Sequence, residues 1–247
     1  LPGPLARAEL THIDRVPVDM ARAYAQHDAY RAALAAAGAV VTVLPSLPDF
    51  PDCCFVEDTA VILPELVIRT RPGAVSRQGE VAAIAPHLPA DRPHVTVAAP
   101  GTVDGGDVLV VGRDIFIGLT LRSNAAAVAQ VAEAAAPFGY RVTGVPLAQA
   151  LHLKTAVSAL ADDLVLVNTD WVDPAIFGRR HIASAPGEPF AANSLTIGTT
   201  VFHAAGPATL ARIAAAGFDA RYLDIGEFAK AEAGLTCLSL VFRPVGF

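Results

Sequence analysis

Cys237 lies in Gly234-Leu-Thr-Cys-Leu-Ser-Leu near the chain end, and His152 lies in Leu151-His-Leu-Lys, each at the entry to an apolar run. A thiol and an imidazole are the minimal pair for nucleophilic catalysis through a covalent intermediate. Taken singly, each also has a plainer reading: free Cys is among the most buried residue types, and a His between apolar neighbours can be a satisfied core residue. Acidic residues cluster in two motifs, Asp52-Cys-Cys-Phe-Val-Glu57-Asp58 and Asp104-Gly-Gly-Asp107. The second is equally compatible with ordinary turn chemistry. Glu57 and Asp58 are harder to place in a loop, because Val56 and the run from Thr59 to Leu63 surround them with apolar sequence. Carboxylates entering a core need a partner, and a cationic ligand would be one. Arg77 and Arg122 are isolated arginines, read either as surface residues or as bidentate holders of a substrate carboxylate.

Other chemistries are disfavoured. No His pair at i, i+4 and no Cys-x-x-Cys occurs, so no metal site is expected. Gly101-Thr-Val-Asp-Gly-Gly-Asp lacks a Gly-Lys-Ser/Thr ending, and its aspartates would repel phosphate. With 18 basic against 24 acidic residues and a net charge of −6, nucleic-acid binding is not expected. The chain has just two lysines, Lys154 and Lys230, which gives no polybasic membrane patch. The longest stretch without a charge, Pro189 to Ala211, is broken by Gly198, Gly206 and Pro207 and does not read as a membrane span. Three cysteines, two of them adjacent, suit a reducing compartment, so the expected location is cytoplasmic.

The elements that must position these residues recur. Asp19 caps a helix expected to reach Ala37, with Gly38 as its stop, and Val40 to Leu44 reads as a strand. Then come Thr59 to Leu63, Leu66 to Arg69, a helix from Gln78 to His87, and Val95 to Ala98: strand, strand, helix, strand. The order returns from Asp107 to Val145, again from Thr155 with a weak helical segment at Pro174 to Phe177, and again from Ser194 to Asp224. Leu235 to Phe242 opens a fifth unit. Asp58, Asp107, Lys154, Asn193 and Cys237 fall at equivalent places, separated by 49, 47, 39 and 44 residues. At 247 residues with 53% hydrophobic and 17% charged residues, the chain is expected to fold as one domain over 1–247. The period predicts ββαβ units stacked about an axis where equivalent polar residues converge. The segment around Val40 to Leu44 lacks a preceding strand, so a native N-terminal strand is expected to be missing from this chain.

Phe55-Val-Glu-Asp-Thr-Ala-Val, Asp104-Gly-Gly-Asp-Val-Leu, Arg122-Ser-Asn, Leu151-His-Leu-Lys-Thr and Leu235-Thr-Cys-Leu-Ser together resemble the dimethylarginine dimethylaminohydrolase family, from about Leu10 to Phe242. The resemblance implies the pentein fold, a five-bladed α/β propeller, and hydrolysis of N-omega-methylated arginine to citrulline without metal or organic cofactor. It implies Cys237 as nucleophile, His152 as acid and base, and Asp104 as the acidic partner of His152. It places guanidinium contacts on Glu57 and Asp58, and α-amino contacts on Asp52 and the backbones of Leu10 and Ala231. Carboxylate contacts fall on Arg77 and Arg122. The expected partner is a small-molecule substrate, with the protein a monomer or homodimer. Arginine deiminase chemistry, a non-catalytic propeller binding a cationic amino acid, and a Cys-dependent amidase are the alternatives.

Overall fold

The computed structural model describes residues 3–147 and 149–244. The outermost residues of the expected single domain, 1–2 and 245–247, lie outside them. Among the described residues four three-stranded sheets follow one another, each built to one plan. In the first, β1 (Ala60–Ile62) pairs antiparallel with β2 (Val67–Arg69), which pairs parallel with β3 (His94–Thr96) after a crossover through α2 (Gln78–Ile84). The second holds β4 (Val108–Val111), β5 (Asp114–Leu119) and β6 (Arg141–Pro146), crossed by α3 (Ala125–Ala135). The third begins after the short helix α4 (Leu153–Ala156) and holds β7 (Val157–Ala161), β8 (Leu164–Val167) and β9 (Arg180–Ala183). The fourth holds β10 (Ser194–Ile197), β11 (Thr200–His203) and β12 (Asp219–Tyr222), crossed by α5 (Pro207–Ala215).

The middle strand of each sheet is its most buried. Every residue of β8 and β11 is buried, as are the first five of β5. This is why these strands read as continuous apolar runs rather than alternating ones. The β4–β5 hairpin turns at Gly112, whose φ of 59° suits glycine. Helices are capped as their sequences predict: Asp19 accepts from the Arg22 amide at the head of α1 (Met20–Ala36), and Asn124 from the Ala127 amide at the head of α3. Buried residues Ala23, His27, Tyr30 and Leu34 line one face of α1, and Ala127, Val131 and Ala135 one face of α3. Among the described residues no helix is long and apolar enough to cross a membrane.

Two expectations are corrected. Val40 to Leu44 and the C-terminal part of Leu235 to Phe242 form no strand. Among the described residues no strand precedes Ala60, so neither segment has the middle strand that the plan of the other four units supplies. Val241 and Phe242 are correspondingly exposed. The fifth unit consists of α1, these two unpaired segments, a further short helix, α6 (Gly226–Ala229), and a single 3-10 turn, Thr236–Leu238. In the third unit the strand after Pro174–Phe177, β9, escaped the sequence reading because Arg-His-Ile-Ala carries no strand pattern; its parallel pairing to β8 creates it.

Candidate active site

Four units place a short turn immediately ahead of their first strand, Val56–Thr59, Gly105–Asp107, Leu153–Ala156 and the residues before Ser194, and the strandless fifth unit supplies the turn Thr236–Leu238. These turns meet one another and close a ring of hydrogen bonds. The Gly106 amide donates to Asp58 Oδ1 at 2.8 Å, and the Leu153 amide donates to Asp107 Oδ1 at 2.9 Å. Lys154 Nζ donates to Glu57 Oε1 at 2.6 Å, and Thr236 Oγ1 to Glu57 Oε2 at 2.9 Å. Asn193 Nδ2 bonds the Lys154 carbonyl at 2.8 Å and Thr236 Oγ1 at 3.1 Å. The paired glycines of Asp104-Gly-Gly-Asp107 are explained by close approach. A Cβ at position 105 would sit on the Glu57 carbonyl oxygen, and one at 106 would stand 2.5 Å from His152 Nδ1.

His152 Nε2 lies 3.0 Å from Asp104 Oδ2 and 3.9 Å from Asp58 Oδ1. Burial alone would lower the imidazole, but Asp58, the Asp104 hydrogen bond and Asp107 outweigh it and raise it to about 9. His152 is therefore an imidazolium at neutral pH. Asp104 is wholly buried and held from behind: its Oδ1 accepts from the Gly73 amide at 2.9 Å, and its own amide donates to Ser123 Oγ, which donates to Asp107 Oδ2. Burial raises the Asp107 carboxyl to about 6. Asp58, which burial would raise, is instead pulled down to about 2 by His152 and Arg77.

Cys237 stands half-buried on the 3-10 turn, its Sγ accepting from the Gly234 amide at 3.4 Å. Burial, then Glu57 and Asp58, push its thiol well above the usual range. It shares a cleft with Asp52, Phe55, Asp58, Arg77, Arg122, Leu151, His152, Ala231, Glu232 and Glu9. The expected residues are thus brought together in two layers. Asp52, Asp58, Arg77, Arg122, His152, Ala231 and Cys237 line the cleft; Glu57 and Asp104 do not, and stand behind that wall. Leu10 packs into the core cluster of Leu5, Ala8 and Phe228, leaving its neighbour Glu9 to face the cleft.

The two arginines differ. Arg77 is buried in an ion triad, with Nη1 to Asp58 at 2.5 Å and Nη2 to Glu80 at 2.8 Å, and it also donates to the carbonyls of Asp52 and Phe55. Burial raises Glu80 to about 7 despite that pairing. Arg122 is looser, with Nη2 on Thr11 Oγ1 at 2.9 Å and Nη1 3.6 Å from Asp104. Sequence reasoning passed over Lys154, Asn193 and Asp107 as site residues although their repeat positions marked them, and it missed Thr236, Glu80 and Glu232. Among the described residues, Asp58, Asp104 and His152 are the group whose ligand atoms lie within 4.8 Å of one another. Those atoms already carry the Arg77 ion pair, the Gly106 amide and the His152–Asp104 hydrogen bond, so a metal there would displace existing partners.

No protein-family model matches the sequence. The chain is 40% identical over 246 residues to N(G),N(G)-dimethylarginine dimethylaminohydrolase of Streptomyces coelicolor, covering 98% of this chain and 95% of that one. It is 35% identical over 228 residues to the protein of the same name from Pseudomonas aeruginosa, covering 91% and 90%. A solved structure of the Pseudomonas aeruginosa enzyme, a Cys-to-Ser variant complexed with citrulline, superposes with a TM-score of 0.91 at 33% identity, covering 97% of this chain and 95% of that one. The mixed three-stranded sheets described above are those of the same α/β propeller. The chain therefore belongs to the dimethylarginine dimethylaminohydrolase family of the pentein fold.

Proposed function

We propose that this chain hydrolyses N-omega-methylated arginine to citrulline and methylamine or dimethylamine. The observation that carries the reading is the cleft itself, which a thiol, an imidazolium, carboxylates and two arginines line together. A guanidinium carbon is a poor electrophile because its charge is delocalised. Asp58, backed by Glu57, aims it while a soft nucleophile attacks.

In the free protein the Cys237 thiol is protonated. A guanidinium about 4 Å from the sulfur, at an effective dielectric near 20, stabilises the thiolate by about 4 kcal/mol, so the substrate activates its own nucleophile. Cys237, its proton released to solvent as the guanidinium binds, attacks the guanidinium carbon, and His152 gives a proton to the departing amine as the C–N bond breaks, leaving an S-alkylthiouronium adduct. His152 then takes one proton from water as it adds to the adduct, and collapse breaks the C–S bond, the remaining hydroxyl proton returning to the Cys237 thiolate as citrulline is released. Asp104 orients the ring. Asp52 and the backbones of Leu10 and Ala231 receive the α-amino group, and Arg122, with Arg77 behind Asp58, the carboxylate. The protein acts as one catalytic domain, monomer or homodimer, in the cytoplasm on a small-molecule substrate, with no cofactor, nucleic acid or membrane partner.

The test is citrulline release from asymmetric dimethylarginine, monomethylarginine and arginine, with Cys237→Ser beside the wild type. The expected result is turnover of the methylated substrates, and loss of turnover with retained binding in the variant. Turnover of arginine alone would make it a deiminase; no citrulline from any of the three, or full activity in Cys237→Ser, overturns the mechanism.

A further inference from the structure

Residues 9–17 run as an exposed strap beside the cleft mouth, with Glu9 on the cleft wall. The strap has no sheet or helix of its own, so its position depends on side chains that reach it. The Glu9 amide is held by both Asp52 oxygens at 3.1 and 3.2 Å, and its carboxylate by Ser76 Oγ at 2.7 Å. Further along, Lys230 Nζ reaches the Pro17 carbonyl at 3.1 Å. Between these anchors, one side chain takes two consecutive strap amides: Glu232 Oε2 accepts from Thr11 at 2.5 Å and Oε1 from His12 at 2.6 Å.

The backbone of Glu232 makes this clasp unusual. Its φ is 60°, and among the described residues it is the non-glycine at positive φ. The cause is the end of α6 (Gly226–Ala229): the Ala233 amide returns to the Phe228 carbonyl and the Glu232 amide to Ala229, a left-handed helix stop. That position ordinarily takes Gly or Asn, which pay little or nothing for the conformation. A long acidic residue gains nothing there as a stop. What it does gain is a carboxylate aimed at two backbone N–H groups some 220 residues away in the chain.

We infer that Glu232 is a positioning residue that clasps the strap over the cleft and so sets the groups that receive the amino-acid end of the substrate. The inference rests on the function proposed above. Holding the amides of Thr11 and His12 fixes the adjoining Leu10 carbonyl. It also fixes the Thr11 hydroxyl, on which Arg122 Nη2 is parked at 2.9 Å. The clasp touches neither the reacting carbon nor His152, so its loss should appear in substrate capture rather than in chemistry.

Glu232→Gly separates the two roles, since it deletes the carboxylate while relieving the positive φ. The expected result is a KM raised about tenfold with kcat within about twofold, in a protein whose Tm is unchanged or higher. Glu232→Gln, which keeps one accepting oxygen, should fall between. In the free protein, iodoacetamide labelling of Cys237, followed by peptide mass spectrometry with Cys53 as internal reference, should be faster in Glu232→Gly. An unchanged KM together with unchanged Cys237 labelling in Glu232→Gly overturns the inference, as does a lowered Tm that accounts for the activity loss. Should the wild type release no citrulline, the functional reading fails while the labelling rates still decide whether Glu232 clasps the strap.

Discussion

Cys237 faces two buried carboxylates, Asp58 paired with Arg77 and Glu57 paired with Lys154 Nζ at 2.6 Å. Lys154 cancels much of the Glu57 charge without touching the cleft wall. Burial already raises the Glu57 carboxyl against the pull of Lys154, so replacing Lys154 by Met drives Glu57 toward its neutral form and weakens the attraction of the pocket for a guanidinium. Lys154→Met should therefore raise KM for the cationic substrate by about tenfold at neutral pH, measured by steady-state kinetics, with partial rescue by Lys154→Arg. Asp104 acts on the other partner. The imidazolium is lost as pH rises through about 9, which sets the alkaline limit of leaving-group protonation. In Asp104→Asn the hydrogen-bonded anion is gone, so the alkaline limb of the kcat profile should shift toward neutrality while kcat falls by about tenfold or more. An alkaline limb left unmoved would mean that Asp104 does not hold the proton on His152.

At the scale of elements, the site is a product of short turns, and these were the least legible parts of the sequence. The buried middle strands could be read from Ile115 to Gly118 and Leu164 to Val167 because burial on both faces leaves an unbroken apolar run. The caps of α1 and α3 could be read because Asp19 and Asn124 act locally. The Glu57–Lys154 pair spans 97 residues and the Glu57–Thr236 bond 179, and no local pattern encodes either. The repeat register came closest, since it aligned Lys154 and Asn193 with Cys237, but it could not say which polar residue meets which. The same reading made Val40 to Leu44 a strand on β-branched composition alone, although a strand exists only with a neighbour to pair with. Gly105 tests how tightly the turns are packed. Its missing Cβ makes room for a backbone carbonyl, which cannot swing aside. Gly105→Ala should cost about 3 kcal/mol or more, seen as a large fall in Tm or in folded yield. Gly139→Ala, at a φ of 78° with nothing within 4 Å, should cost just about 1 kcal/mol.

For the whole molecule, charges drawn from three units of one chain converge on a single buried cluster, so the pH dependence of global stability should report on that cluster. Asp58 is lowered in the fold from an ordinary 3.8 to about 2, so its contribution is present above about pH 4 and is lost as pH falls through 2. His152 is raised from 6.5 to about 9, so its contribution is complete below 6.5 and is lost as pH rises through 9. Asp107, raised to about 6, acts in the same direction as His152 at lower pH, because the fold prefers its protonated form. Asp58 and His152 share one interaction, so their effects are not summed; taken alone the His152 shift corresponds to about 3 kcal/mol. Exposed ion pairs such as Arg180–Asp163 are solvated and screened and should add little to the curve. Thermal melts from pH 2 to 10 should therefore peak between about pH 4 and 6, and fall on the alkaline side before lysine or tyrosine titrates. His152→Gln removes the group whose titration drives that fall, so its melting curve should flatten between pH 6.5 and 9. A wild-type Tm that is level or rising across that interval would show that the imidazolium is not stabilised by its carboxylates, and would remove the charge arrangement on which leaving-group protonation depends.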